Sequence, residues 1–426
     1  MDKYTVYPSK LQGELRLPPS KSHTLRAILF AALAKGKSRI YNPLSSPDTD
    51  AMIRAAELLG AKITREKECL TIVGTAGNLS VPKDIIDCGN SGLVLRLIGA
   101  LAGLIPGYTI LTGDLSIREN RPVFPLLSAL EQLGAFAVST RLNGKAPIAI
   151  KGPFEQTKAT LEGQDSQPVS GLLIAGAFAP HPIELFVKDP GEKPWIDLTL
   201  SWFKRLGIFY EATDYTHYRL KGGAKIDAFD YEVPGDLSSA AFPVVAALLT
   251  GSELTIHHFD LEDNQGDKKL FSFLEEMGAL FSYSQEHKTL KVLKSPPLEG
   301  KVFDINDCID ALPILAVVGC FAKGCTKIIN ASIARKKESD RIHCIATELK
   351  KMGAHLEEEQ EGLTLFPSAL QSACVTSHQD HRLAMALTVA CLSSECGGTV
   401  LGTECIAKTY PNFYETFSSL GAKIHL

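Results

Sequence analysis

The sequence predicts an α/β protein of two domains, each built from three repeated α/β units. Three observations carry this expectation. The chain has 426 residues, more than one ordinary core organises, so two domains of about 200 residues each are expected. One short phrase recurs along its whole length: "LLGAKI" at 58–63, "QLGAFA" at 132–137, "RLGIFY" at 205–210, "EMGALF" at 276–281, "KMGAHL" at 351–356 and "SLGAKI" at 419–424. Each phrase follows an amphipathic run such as "AMIRAAELLG" and leads into alternating residues such as "AKITREKECLTIVG". That is the order helix, glycine cap, strand.

The phrase glycines are Gly60, Gly134, Gly207, Gly278, Gly353 and Gly421, separated by 74, 73, 71, 75 and 68 residues. Near-constant spacing marks a repeat, and this period is longer than that of common solenoids. Each unit is therefore expected to hold two helices and several strands. Each glycine should adopt the left-handed turn that ends a helix. A break at Pro234-Gly235, in "YEVPGDLSSAAF", marks the midpoint of the chain.

Five segments share a second pattern, a turn-forming or charged start followed at once by an apolar helix. In "PPSKSHTLRAILFAALAKG" the stripe is Leu25, Ile28, Leu29, Ala32 and Leu33. In "DCGNSGLVLRLIGALAG" it is Leu93, Leu97, Ala100, Leu101 and Leu104. "PGDLSSAAFPVVAALLTG" begins at Asp236 and "QDHRLAMALTVACL" at Asp380. "ARKKESDRIH" leads into a helix with Ile342, Ile345 and Leu349 inward. Helix N-termini present unpaired N–H groups and partial positive charge, so the cations Lys21, Lys337, Arg341 and Arg382 oppose the dipole there. A strongly anionic ligand would resolve the conflict.

Composition excludes several classes. Apolar residues make up 45% and charged residues 22%, with net charge −4, so no general field draws nucleic acid or an anionic membrane. Ten cysteines form no CxxC pair, and no histidines join them at zinc spacing, so no metal site is expected. The longest apolar stretch, "GLVLRLIGALAGLIPG", is shorter than a membrane span and contains Arg96. The start "MDKYTVYPSK" has no basic-then-apolar signal pattern, and a cytoplasmic protein is expected. No GxxxxGK[ST] and no strand–GxGxxG–helix unit supports nucleotide binding.

"LPPSKSHTLRA", "GNSG", "LTGDLSIRENRP", "DSQPVSGLL", "PGDLSSAAF", "DALPILAV", "KKESDRI", "DHRLAMAL" and "AKTYPNF" occur in the order seen in the 5-enolpyruvylshikimate 3-phosphate (EPSP) synthase family. The resemblance runs from about residue 10 to 424. It implies a two-domain enolpyruvyl transferase-like fold with three repeated units per domain and the active site in the cleft between them. By resemblance one domain comprises residues 1–18 plus 236–426 and the other 19–235, with hinges near 18–21 and 233–236. It further implies transfer of the enolpyruvyl group of phosphoenolpyruvate to shikimate 3-phosphate by a monomer, with no cofactor.

The same resemblance implies the site. Lys21, Arg121, Arg341, Arg382 and Lys408 would surround phosphoenolpyruvate, with Asn90, Gly92 and Gln167 beside it. Ser22, Arg26, Ser166, Gln167 and Asp310 would hold shikimate 3-phosphate, and Lys337 would reach its phosphate. Asp310 would take the acceptor hydroxyl proton, Glu338 would serve the methylene carbon, and Lys21 would assist. The sequence departs from the family pattern at Asp165, Glu192, Trp195, Leu93 and Ile333. Asp165 and Glu192 are expected to turn aside from an acceptor phosphate or to pair with bases, Lys193 being one candidate.

Three other readings stand beside this one. A UDP-N-acetylglucosamine enolpyruvyl transferase would need a loop cysteine, and "GDLSIRENRP" has none. A transferase for an unphosphorylated cyclic alcohol would suit Asp165 and Glu192. A catalytically inactive binding relative is opposed by the intact Lys21, Asp310, Glu338, Arg341, Arg382 and Lys408.

Overall fold

All six phrase glycines lie just past a helix, with positive φ: +109° at Gly60, +88° at Gly134, +67° at Gly207, +104° at Gly278, +86° at Gly353 and +95° at Gly421. The residue after each glycine donates its N–H back to the last helical turn, as Ala279 does to Leu274 at 2.9 Å and Ala354 to Leu349 at 3.0 Å. This is the six-to-one closure that satisfies the last carbonyls of a helix. A side chain at these positions would be strained, which is why glycine recurs there.

The computed structural model describes residues 2–426. They divide into two compact units, a terminal one (residues 2–18 with Pro234–Leu426) and a central one (Pro19–Val233). The chain returns to the terminal unit at Val233/Pro234, two residues earlier than the sequence-based boundary. The reason is local: Val233 N–H still bonds Tyr41 O in the central unit, while Asp236 N–H bonds Pro18 O in the terminal one.

Each unit holds three sheets of four strands. The sheet of the third repeat shows the plan. Lys158–Glu162 and Ile183–Lys188 run parallel, with Ala159 opposite Leu185, and are joined by the helix Ser166–Phe178. His217–Leu220 then pairs antiparallel with Ile183–Lys188, and Tyr210–Thr213 forms the edge. A parallel pair needs a crossover, and the helix supplies it.

Three sheets take a strand from far along the chain, one of them by pairing Gln12–Arg16 parallel with Glu253–His257. Asp230–Glu232 pairs parallel with Lys37–Tyr41. Lys3–Tyr7 inserts antiparallel between Gly398–Leu401 and Lys423–His425, with Thr5 opposite both Thr399 and His425. With these additions every repeat has four strands.

The crossover helices are buried on all sides, beyond the one-sided stripes that the sequence suggests. In Lys21–Leu33 not only Leu25, Ile28 and Leu29 but also Ala27, Phe30 and Ala31 are covered. In the terminal unit Leu237–Thr250, Leu312–Phe321 and His381–Ser393 pack on one another. In the central unit Gly92–Ala102 packs on Ser166–Phe178. There a Cβ at Gly171 would lie 2.7 Å from Arg96 O, so glycine permits the close approach. The outer helices keep one apolar face: in Arg341–Lys351, Ile342, Ile345 and Leu349 are buried and Lys350 is exposed. Among the described residues no helix is long and apolar enough to cross a membrane.

Candidate functional site

The charged run at 335–341 is not a solvated face. Arg335 grips the Asp340 carboxylate with Nη1 at 3.0 and 2.8 Å, and Asp340 caps the next helix by accepting the His343 N–H. That clamp leaves Lys336 outside, while Lys337, Glu338, Ser339 and Arg341 turn inward and are buried.

Arg341, 1% exposed, is the centre of the arrangement. Its Nη1 donates to Asp310 Oδ1 at 2.6 Å, Nη2 to Glu338 Oε2 at 2.7 Å and Nε to Asp380 Oδ2 at 2.7 Å. Lys408 Nζ reaches the other Glu338 oxygen at 2.8 Å. Arg382 Nη2 reaches the other Asp310 oxygen at 2.6 Å and Ser238 Oγ at 3.0 Å. Asp310, Lys337, Glu338, Arg341, Arg382 and Lys408, all expected at the site, therefore gather within the terminal unit. Burial pushes the Asp310 carboxyl up, but Arg382, Arg341 and Lys337 outweigh it and hold the group well below the usual carboxylate range. Burial opposes the charge of Arg341, yet Asp380, Glu338 and Asp310 raise its pKa well above the ordinary value.

This corrects one inference from the sequence. Cations at these helix starts do not require a bound anion, because carboxylates of the chain already neutralise them. Asp380 is the main residue that sequence reasoning missed. It caps His381–Ser393, accepting the Arg382 N–H at 2.9 Å, and at the same time holds Arg341 and accepts from Ser339 Oγ at 3.2 Å. Its signal was the aspartate opening "DHRLAMAL", read only as a helix start.

The central unit brings together a second set. Lys21, at the start of its helix, has Nζ 3.9 Å from Asp48 Oδ2, and Asp48 accepts from Ser91 Oγ at 2.9 Å. Ser91 caps the helix Gly92–Ala102. Asn90 ties that turn to the next loop, donating to Asp114 Oδ2 at 2.6 Å and Ser116 Oγ at 3.1 Å. A Cβ at Gly92 would fall on Arg121 Nη1, so this glycine makes room for the buried guanidinium. Arg96 donates to Gly92 O and Pro122 O and stands 3.4 Å from Asp165 Oδ2. Asp165 also caps Ser166–Phe178 by accepting the Gln167 N–H at 3.1 Å.

Two expectations change in this unit. Asp165 does pair with a base, Arg96, but Glu192 points to the start of the same helix. Its Oε2 accepts the Ser166 N–H at 3.1 Å and the Ser166 hydroxyl at 3.3 Å. The Lys193 ammonium lies 5.6 Å from the centre of the Tyr215 ring. Helix N-termini attract anions, and here the chain supplies one. Arg26 is also spent internally, donating to Thr199 Oγ1 at 3.0 Å, Ser22 O at 3.2 Å and Trp195 O at 3.3 Å. Burial lowers its pKa to about 10, and it links its helix to Lys193–Arg205. Leu93 is buried, and so is Ile333.

The family model described as EPSP synthase (3-phosphoshikimate 1-carboxyvinyltransferase) matches residues 6–417. The chain belongs to the EPSP synthase family. It is 43% identical to the 3-phosphoshikimate 1-carboxyvinyltransferase of Acetivibrio thermocellus over 420 residues, covering 98% of each chain. It is also 43% identical to that of Chlamydia muridarum over 425 residues, covering 99% of this chain and 95% of the relative. The structure resembles EPSP synthase from Acinetobacter baumannii with a TM-score of 0.82 at 26% identity, covering 99% of each chain. The enolpyruvyl transferase NikO from Streptomyces tendae shares the fold with a TM-score of 0.76 at 18% identity, covering 99% of this chain and 98% of that one. The mixed α/β architecture expected from the six phrases is therefore that of an EPSP synthase.

Chemically, the terminal set offers two carboxylates of different surroundings bound to one guanidinium. Asp310 is held by two arginines, and Glu338 by an arginine and a lysine. Such a pair can move protons at two separate atoms of a substrate, while the cations bind its anionic groups. Among the described residues no three His, Cys, Asp or Glu side chains gather in a set able to hold a metal ion.

Proposed function

We infer that this chain is a 3-phosphoshikimate 1-carboxyvinyltransferase. It transfers the enolpyruvyl group of phosphoenolpyruvate to shikimate 3-phosphate and releases phosphate, a step of aromatic amino acid biosynthesis. The observation that carries the residue roles is the Arg341 hub, which binds both Asp310 and Glu338.

In the first step the acceptor hydroxyl oxygen attacks C2 of phosphoenolpyruvate. Its proton passes to Asp310, while Glu338 delivers a proton to the C3 methylene. The product is a tetrahedral intermediate carrying both the acceptor oxygen and the phosphate on C2. In the second step Glu338 takes a proton back from C3, the C2–O bond to phosphate breaks, and the proton on Asp310 leaves with the phosphate. Arg341, Arg382 and Lys408 bind phosphoenolpyruvate, together with Lys21 and Arg121 and with Asn90, Gly92 and Gln167 beside them. When an anion takes over Arg341 and Lys408, Glu338 loses two cationic partners, and a carboxyl so placed holds a proton more readily. Lys21 assists at the hydroxyl or the leaving phosphate.

Shikimate 3-phosphate is held by Ser22, Ser166, Gln167, Asp310 and Lys337, with Arg26 acting through the carbonyl of Ser22, which it fixes. The family resemblance supports reading the protein as a cytoplasmic monomer that uses no cofactor. The test is release of inorganic phosphate from phosphoenolpyruvate with shikimate 3-phosphate, compared with unphosphorylated shikimate. A higher specificity constant for shikimate would overturn the acceptor assignment and keep enolpyruvyl transfer. No release with either would overturn the activity.

A further inference from the structure

Asp267 lies in the short 3-10 turn Gly266–Lys268, is 1% exposed, and belongs to none of the groups given a role above. Neither carboxyl oxygen receives a hydrogen bond from a side chain. Its turn packs against the 3-10 segment Asn306–Ala311 that carries Asp310, and against the start of Leu237–Thr250, capped by Asp236. The neighbouring Gln265 fixes this seat, accepting the Leu237 N–H at 3.0 Å and donating to Gly235 O at 2.9 Å.

The charges around it make an ionised Asp267 costly. Arg341, Arg382, Lys337 and Lys408 are the buried cations of the hub. Asp310, Glu338, Asp380 and Asp236 are the carboxylates that match them. One cation stands for each of these four carboxylates, so a fifth buried carboxylate would be uncompensated. Arg382 turns its Nη2 to Asp310 and to Ser238, whose hydroxyl bonds Asp236, and gives no hydrogen bond to Asp267.

We propose that Asp267 is a positioning residue for the Asp310–Arg382 pair: it stays an un-ionised carboxylic acid behind the pair, so that Arg382 is committed to Asp310 and to the substrate anion. This rests on the enolpyruvyl-transfer reading, in which Asp310 accepts the hydroxyl proton. Burial, then the charge of Asp310, push the Asp267 carboxyl up to about 8; Arg382 pulls it down and Asp236 adds to the rise. The other titratable groups on the packed elements do not cancel this. Lys269 is paired with Asp307 at 3.0 Å, and Cys308 is a buried thiol whose pKa burial raises well above its ordinary value.

Above about pH 8 the second negative charge draws on Arg382 and weakens its hold on Asp310 and on phosphoenolpyruvate. Asp267→Asn keeps the neutral form at every pH. The wild-type protein at neutral pH should show the infrared C=O stretch of a buried protonated carboxyl, and Asp267→Asn should lack it. At neutral pH the variant should keep kcat/KM for phosphoenolpyruvate within about threefold of wild type. The alkaline fall of that parameter should be centred near pH 8 in wild type and should move up by at least about one pH unit in the variant.

An absent wild-type band, an unshifted alkaline limb, or a loss of more than about tenfold at neutral pH would each overturn the proposal. If the wild-type protein released no phosphate from its two substrates, the transfer reading would fail instead, and the infrared band would still decide the state of Asp267. The same band, measured on wild type, decides the matter if the variant does not fold.

Discussion

Glu192→Gln isolates the least expected feature of the site. The Glu192 carboxylate accepts both the N–H and the hydroxyl of Ser166 at the start of a thirteen-residue helix. If the acceptor phosphate binds Ser166, it meets this carboxylate. At about 4 Å two unit charges repel by roughly 1 kcal/mol in water and roughly 4 kcal/mol at an intermediate effective dielectric. Glu192 is only 2% exposed, so the upper half of that range applies unless the side chain swings out. Conversion at about 1.4 kcal/mol per decade gives an effect between roughly fivefold and several hundredfold. The glutamine keeps the shape and one acceptor, and removes the charge. Losing the anion should cost the helix about 1 kcal/mol, seen as a lower Tm. Steady-state assays should show KM for shikimate 3-phosphate falling at least about fivefold, with kcat and KM for phosphoenolpyruvate within about twofold. An unchanged KM would refute the placement of the acceptor phosphate at Ser166. A raised KM would indicate that Glu192 holds an acceptor hydroxyl.

Other expectations follow from the hub and the repeats. Glu338→Gln should lower turnover by about 100-fold or more while phosphoenolpyruvate still binds, measured by phosphate release and calorimetry; Asp310→Asn should behave alike. Gly353→Ala should destabilise by about 1 kcal/mol in chemical denaturation. At φ +86° the new methyl would meet only Gln371 Cγ, at 3.8 Å, so the backbone conformation alone would be tested. The stability of wild type should fall as pH rises toward about 8, because folded Asp267 keeps a proton that the unfolded group loses near its ordinary value of 3.8. The Tm advantage of Asp267→Asn over wild type should therefore grow from acid to mildly alkaline pH.

The repeat was legible because it is local. A helix end, its glycine and the next strand lie within one short phrase, so Gly60 and its five counterparts revealed both the element order and the backbone conformation. The strand that completes the last sheet was not legible. Lys3–Tyr7 pairs with residues near 400 and 424, and nothing within five residues specifies a partner that distant. The site divided in the same way. Lys337, Glu338 and Arg341 announced themselves by crowding charge into one run. Asp380 looked like an ordinary helix start, because the sequence does not show that one carboxylate can cap a helix and hold a distant cation at once. The partners of Arg26 and Glu192 within the fold were not legible for a related reason: they lie 173 and 26 positions away.

The strand Lys3–Tyr7 also sets an order in time. As the chain leaves the ribosome, the central unit has all its strands once residue 232 is out, since Asp230–Glu232 is the last it needs. Lys3–Tyr7 must then wait for its partners: Gly398–Leu401 and Lys423–His425 are made only after the whole central unit. Until then an early β-segment with the alternating residues Tyr4 and Val6 has no sheet to join, and unpaired strands invite association between chains. A nascent protein arrested shortly before residue 398 should thus carry a folded centre flanked by an unfinished terminal unit, and removing the first seven residues should leave the last sheet with an open gap rather than a shortened edge.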